Sequence, residues 1–310
     1  MKKIMSALLL ACISTVLFTG CYVAPKKEPP QIEINPNEEA ANLEKVPVTL
    51  YFQYKDEFLL SGESRVIEAP VNGRLETAVI KALIEGPSAE SKNLNTVLSP
   101  SIHVVNVSEE GEYLFITLSA DFIKPVLIDD NAKKKRQLAI YSIANTLIEL
   151  GGYSRIHFRV DKDGTGIGQS LTKSEAGFDG GDSPLDTIGY FSPIVLNPKN
   201  TMLEFLKNYA NKDWEKVYEY IANRDLSGDE KPSEDELLAG IVSFQYGIED
   251  YEVLDYSVSG DGAAALVLVN YTVKTKDGET SVEKNKPVKL LREDSTWRIS
   301  YSSFNKAFLF

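Results

Sequence analysis

The sequence is poor in the residues that metal sites and nucleophilic catalysis draw on. Its 310 residues hold two cysteines, Cys12 and Cys21, and two histidines, His103 and His157. A zinc site needs three or four His, Cys or carboxylate ligands, so no metal site and no metal or other cofactor is expected. Positive charge is also scarce: 33 Lys and Arg stand against 45 Asp and Glu, a net charge of -12. Such a chain has no electrostatic footprint for a phosphate backbone, which disfavours nucleic acid as a partner. Long apolar runs are missing too, apart from one at the N-terminus.

That run extends from Ile4 to Phe18 behind Met1-Lys2-Lys3. It has the form of a basic n-region and a short h-region, too short to span a bilayer as a mature helix. It ends in Leu17-Phe18-Thr19-Gly20-Cys21, which resembles the bacterial lipobox, with Phe18 where an aliphatic residue is usual. The resemblance implies cleavage before Cys21 and diacylglycerol on its thiol. Leu9-Leu10-Ala11-Cys12 fits the same short pattern but leaves too little apolar run ahead of it. If Cys12 departs with the leader, Cys21 has no partner, and free thiols are rare in exported proteins; lipidation accounts for it. Loss of Lys2 and Lys3 makes the body more acidic still. Residues 21–46 are rich in Pro, Lys, Glu and Asn and bury too little surface to fold. They read as a tether reaching roughly 30 Å. The expected division is thus 1–20 leader, 21–46 tether, and two domains, 47–198 and 199–310.

Alternation opens the first domain. Val48, Leu50, Phe52 and Tyr54 share a strand face, and Arg65 to Ala69 return after a turn at Ser61-Gly62. Leu75, Ala78, Val79, Ala82 and Leu83 then fall at helical spacing before the stop at Gly86-Pro87. A hairpin follows, Ile102–Val107 and Tyr113–Leu118 about Glu110-Gly111-Glu112. A second helix carries Ile140, Ile143, Ala144, Leu147 and Ile148 and closes at Gly151-Gly152. Ile156, Phe158 and Val160 form a further strand. The pattern predicts an α+β domain with two helices on one face of a sheet. The glycine-rich stretch from Gly164 leads to an apolar patch, Ile188 to Leu196, expected as an irregular strand completing the domain, with Asn197-Pro198 as the break.

The "VTLYF" start, a helix ending "ALIEGP", the strand "GEYLFITLSADF", a helix, and a strand closing in "RVDKDG" together resemble the GerM domain over about 47–165. That family occurs in sporulation and spore-germination lipoproteins. The resemblance implies kinship with ring-building modules that oligomerise in the spore envelope, and no catalytic residues. The best-known member carries two copies, whereas the second half here does not repeat the helix-Gly-Pro motif, which points to a role in an assembly over germination specifically.

The second domain begins with helices: Met202, Phe205, Leu206 and Tyr209, then Trp214, Val217, Tyr218 and Ile221. A third starts at Ser233 with Glu236 placed for a capping box. Strands follow, Tyr251–Val258, Ala263–Thr275, Val282–Leu291 and Trp297–Tyr301. Helices followed by a curled antiparallel sheet resemble the cone-shaped nuclear transport factor 2 superfamily over about 199–304.

Candidate chemistry is thin. His103 and His157 each sit in an alternating strand. Asp161-Lys162-Asp163-Gly164 begins like a calcium loop but lacks the later ligands and reads as a turn. Asp179-Gly180-Gly181-Asp182-Ser183 has a serine among acids but no histidine to activate it. Lys133-Lys134-Lys135-Arg136 is the one basic cluster, expected as a solvated helix start or a contact for an acidic partner or phospholipid. Inside the cone, Tyr218, Tyr246, Asp255 and Tyr271 are candidates for a small-ligand or isomerase-like site, which a deep pocket with a raised-pKa carboxylate would favour. The alternative is a non-catalytic envelope lipoprotein that binds envelope proteins or copies of itself.

Overall fold

The computed structural model describes residues 43–244, 247–275 and 277–309, which form one compact unit. The leader, Cys21 and most of the tether lie outside the described residues, as does Tyr246.

Strand β1 (Leu43–Tyr54) pairs antiparallel with β2 (Leu60–Pro70) in unbroken register from Leu43↔Pro70 to Gln53↔Leu60. β1 therefore starts within the stretch expected as tether; Leu43, Glu44 and Lys45 are exposed and carry no burial signal. Val48, Leu50, Phe52 and Tyr54 are buried on one face, as their alternation predicts. The turn is not at Ser61-Gly62. It spans Lys55–Leu59, where Lys55 takes a positive φ of 49° and the Tyr54 N–H donates to Leu59 O at 2.9 Å. Gly62 lies in the ladder opposite Tyr51, and a Cβ there would come within 2.7 Å of Thr49 Cγ2. Its role is close cross-strand packing.

Helix α1 (Leu75–Glu85) buries Val79, Ile80, Ala82 and Leu83 and ends at Gly86, φ 96°. After the two-residue β3 (Leu94–Asn95) come β4 (Val104–Glu110) and β5 (Tyr113–Ser119), the long helix α2 (Asp130–Glu149), β6 (Arg155–Asp161) and the short β7 (Gln169–Ser170). The strands are divided between two sheets, ordered β2-β1-β3 and β4-β5-β6-β7, where the pattern suggests one. β5 and β6 are parallel, so α2 is their crossover.

The division has a physical cause in α2. Ser142, Asn145, Thr146 and Glu149 form a polar stripe at i, i+3, i+4 and i+7 on the C-terminal half of α2, and the first three of them are buried. Thr146 Oγ1 accepts from the Tyr51 N–H at 3.0 Å and Ser142 Oγ donates to Tyr51 O at 2.6 Å. Asn145 pairs with both backbone groups of Phe191. Side chains of α2 thus occupy the edge of β1 that a further strand would need. The patch before Asn197 bridges the sheets: Ile188 pairs with Ile156 of β6, and Val195 with Leu60 of β2.

Asn197 caps helix α3 (Pro198–Ala210), accepting from the Asn200 N–H, with Pro198 in its first turn. Helix α4 is short (Trp214–Glu219), and Ile221, expected on it, instead bridges to Ile299. Helix α5 (Glu234–Phe244) begins at the expected cap, where Glu236 accepts from the Ser233 N–H and hydroxyl. Strands β8 (Gly247–Val258), β9 (Ala264–Lys274), β10 (Thr280–Glu293) and β11 (Thr296–Ile299) form an antiparallel sheet in order β11-β10-β9-β8. Register shifts at Glu249/Glu252, Val253/Asp255 and Glu283/Lys286 supply the bulges that curl it. The last strand stops at Ile299. Tyr301–Phe308 is a helix, α6, capped by Ser300. Residues up to Leu196 form one large apolar cluster and a smaller one of Tyr51, Leu60, Leu138, Ile194 and Val195, and those from Met202 onward form another.

Candidate functional site

Helix α6 fills the cone. Phe304 and Phe308 are fully buried and pack on Phe205, whose ring centroid lies 6.1 and 4.9 Å from theirs. Tyr209 donates from its hydroxyl to Phe308 O at 3.0 Å, and Tyr271 donates to Ala307 O. Tyr271 is therefore a core residue, its phenol pushed up chiefly by burial. Tyr218 donates to Pro232 O at 3.1 Å. Asp255 is exposed on β8, so it is not the buried carboxylate a cone enzyme would use. The alternation that suggested otherwise is broken by the bulge beside it.

The first domain brings its candidates no closer together. His103 is exposed just before β4. His157 lies against the Phe115 ring, centroids 5.3 Å apart, with Nε2 3.4 Å from Ser170 Oγ. Burial first, and then the Arg159 charge, lower its pKa, which favours a neutral ring beside a cation, and no carboxylate hydrogen-bonds it among the described residues. Asp161 uses both carboxylate oxygens on the Thr165 and Gly166 N–H groups, as a turn residue does. Asp182 accepts from Ser174, and Ser183 donates to Gly180 O. Among the described residues no group of three or more His, Cys, Asp or Glu is placed to hold a metal. No described helix is long and apolar enough to cross a membrane. The basic cluster divides: Lys133, Lys134 and Lys135 are exposed at the start of α2, whereas Arg136 is buried. Its guanidinium donates to Glu175 O at 2.8 Å and Pro125 O at 3.0 Å and lies 5.0 Å from the Phe122 ring centroid. Arg136 is a structural residue, not part of a solvated start.

The β1–β2 ribbon has an edge along β2. Leu60 O accepts from the Leu196 N–H, and Gly62 O from Arg292 Nη2 at 2.7 Å, so the even-numbered residues of β2 direct their backbone groups outward. By the strand's period of two, Ser64, Val66 and Glu68 do the same. Val66 is 61% exposed. Pro70 ends this edge, and Pro47 interrupts the corresponding edge of β1, where it has no N–H to donate. A depression of about 400 Å³ lies beside the ribbon, lined by Pro47, Thr49, Ser64, Val66 and Leu150 among others.

The sequence of this ribbon and the elements that follow it matches a known family, Germane, described as sporulation and spore germination, over residues 49–163. Residues 49–163 are a Germane domain. Solved structures with likeness to the chain include the tandem GerMN domains of the sporulation protein GerM from Bacillus subtilis, at 16% identity and TM-score 0.35, covering 49% of this chain and 48% of that one. The chain thus spans about half the length of that tandem structure. A putative lipoprotein from Clostridium perfringens is 22% identical, covers 47% of this chain and 87% of its own, and has a TM-score of 0.29. An LEH-like epoxide hydrolase from M. tuberculosis is 14% identical, covering 36% of this chain and 84% of its own at TM-score 0.24. The family match, not these likenesses, carries the assignment. No curated protein matches the chain.

The Germane domain and the second domain meet at the β10–β11 turn. Asp294 and Ser295 both take positive φ, 48° and 63°, the geometry of a two-residue hairpin turn of type I′. Ser61 Oγ donates to Ser295 O at 2.7 Å, and Ser91 and Ser295 share a hydroxyl pair at 3.1 Å. Lys55–Glu219 (2.6 Å) and Lys216–Glu57 (3.6 Å) add ion pairs. Sequence reading gave no role to Arg292 or Ser295 and placed Ser61 in a turn. The one available cue was Asp294-Ser295 between two alternating runs.

Proposed function

We propose that this is a lipid-anchored, non-catalytic protein of the cell envelope, acting in sporulation or germination by binding other envelope proteins or copies of itself. The Germane match over 49–163 is the observation that carries the reading. The lipobox-like Leu17 to Cys21 supports a membrane anchor facing outside the cytoplasm. The filled cone and exposed Asp255 support binding over catalysis. The edge Ser64–Glu68 suits the partner, because an extended segment can add there as a strand through main-chain hydrogen bonds.

A host lacking the gene is complemented with four variants. Cys21→Ser should be unlipidated and fail to restore sporulation or germination. The combined His103, His157 and Asp255 substitutions should restore it fully. Val66→Pro removes an outward N–H without touching the β1 ladder, so the protein should fold and accumulate but lose its partner; Val66→Thr, which keeps that N–H, should work. Turnover of a small substrate by the purified protein, abolished by Asp255→Asn, would overturn the reading.

A further inference from the structure

The segment between β5 and α2 combines features that none of the preceding function uses. In Lys124-Pro125-Val126-Leu127-Ile128, Val126 is 77% and Ile128 82% exposed, the two most exposed large aliphatic side chains described. The loop is held rather than loose. Arg136 fixes Pro125 O, the Ile128 N–H donates to Val126 O at 3.1 Å, and Asp129 caps α2 by accepting from the Ala132 N–H. A pinned backbone therefore displays two bare aliphatic groups.

Directly behind them come three exposed lysines in a chain of net charge -12. Lys124 is paired with Asp121 at 2.6 Å and Lys133 with Asp130 at 3.4 Å. Lys134 and Lys135 meet no carboxylate among the described residues. Apolar tips beside unneutralised lysines suit a surface that is negative outside and apolar just beneath, and the acidic remainder of the chain would be repelled from the same surface.

We infer that the loop Lys124–Ile128, with Lys134 and Lys135, is a docking site for an anionic phospholipid surface, with Val126 and Ile128 entering the headgroup–acyl boundary. The inference rests on the anchored reading only in that the anchor brings the body within reach. It adds an orientation: the loop end of the Germane domain faces the membrane. The basic residues supply long-range attraction, and the aliphatic pair supplies contact that salt does not screen.

The test uses the full lipidated chain with Ile128→Trp, and separately Val126→Trp, in vesicles whose phosphatidylcholine carries brominated acyl chains, with or without phosphatidylglycerol. The background is the wild-type chain, whose tryptophans, Trp214 and Trp297, are both in the second domain. Quenching above that background is expected in phosphatidylglycerol vesicles, weaker in phosphatidylcholine alone and at raised salt. Each lysine neutralised by Lys134→Gln or Lys135→Gln should weaken the contact roughly fivefold. Flotation of the same samples reads the anchor separately. A chain that floats but whose introduced tryptophans are quenched no more than the wild type overturns the docking site and leaves the anchor standing. A chain that does not float on phosphatidylcholine overturns the anchor; the docking site falls with it only if phosphatidylglycerol vesicles also fail to bind the chain. Wild-type quenching, combined with lysine variants that lose a protein partner, would reassign the patch to an acidic protein and overturn the lipid site.

Discussion

At the scale of single residues, the charged groups that matter most are those the chain has taken out of water. Lys231 is one. Its Nζ donates to Tyr218 O and Ile221 O, both at 3.1 Å, and lies 3.8 Å from the Tyr218 ring centroid. Burial, reinforced by the Arg298 charge, pushes its pKa from 10.5 down to about 8. Between those two values the unfolded chain holds a proton that the folded chain has released, so stability rises with pH across that window. Below about 8 both states are charged and the cost of the half-buried ammonium is fully present. Lys231→Met should flatten the profile between pH 8 and 10.5 in denaturant titrations; a wild-type profile no steeper than the variant's there would refute the assignment. Arg136 makes the companion case. Arg136→Met removes the donors of the Glu175 and Pro125 carbonyls, two part-buried hydrogen bonds from a buried guanidinium, a loss of about 1–3 kcal/mol in all. Lys134→Gln, a few residues away and exposed, should change stability by less than about 0.5 kcal/mol. Equal effects in chemical denaturation would show that the cluster is uniform after all.

At the scale of elements, α2 decides how the Germane domain is arranged. Its apolar positions Ile140, Ile143, Ala144 and Leu147 are legible as a core-facing stripe, and so are the strand faces and the Gly86, Gly111 and Gly151 stops, because each follows from a fixed period or a backbone need. The two-sheet division was not legible. It depends on Ser142 and Thr146 bonding to Tyr51, more than ninety positions away in the chain, and short polar side chains in a helix carry no local sign of such a target. The spacing Ser142, Asn145, Thr146, Glu149 among the apolar positions of the helix's second half was the available signal, since buried polar groups need partners. Helix α6 was also readable, from Ser300 as cap and Phe304, Ala307 and Phe308 at helical spacing, but the preceding Trp297–Ile299 alternation drew the strand too far. Thr146→Val keeps the shape and leaves the buried Tyr51 N–H unpaired, so it should lower unfolding free energy by about 1–3 kcal/mol. Thr146→Ser should lower it much less. If the two variants unfold at the same denaturant concentration, the hydroxyl is not what holds β1.

At the scale of the whole molecule, the question is whether two cores make two independent units. The main apolar clusters of the two domains share no residues, and hydrogen bonds and ion pairs join them: Arg292 on Gly62 O, Ser61 and Ser91 on Ser295, and the pairs Lys55–Glu219 and Lys216–Glu57. A polar interface of this kind couples two bodies without supplying a core to either. Yet no spacer separates them, because Leu196 still bonds to Leu60 O while Asn197 already caps α3. Fragments 45–198 and 199–310 should therefore each unfold cooperatively. The second should be weakened by about 1 kcal/mol through loss of the Asn197 cap, and Asn200, whose side chain donates to Ser192 O and Val195 O, would be left without those acceptors. Extending the second fragment to begin at Asn197 should recover most of the cap's share. In the intact chain, Arg292→Ala with Ser61→Ala should separate one melting transition into two, each near that of its fragment. If both fragments lose cooperative melting by calorimetry, the division at Asn197-Pro198 cuts a single core and the two-unit description fails.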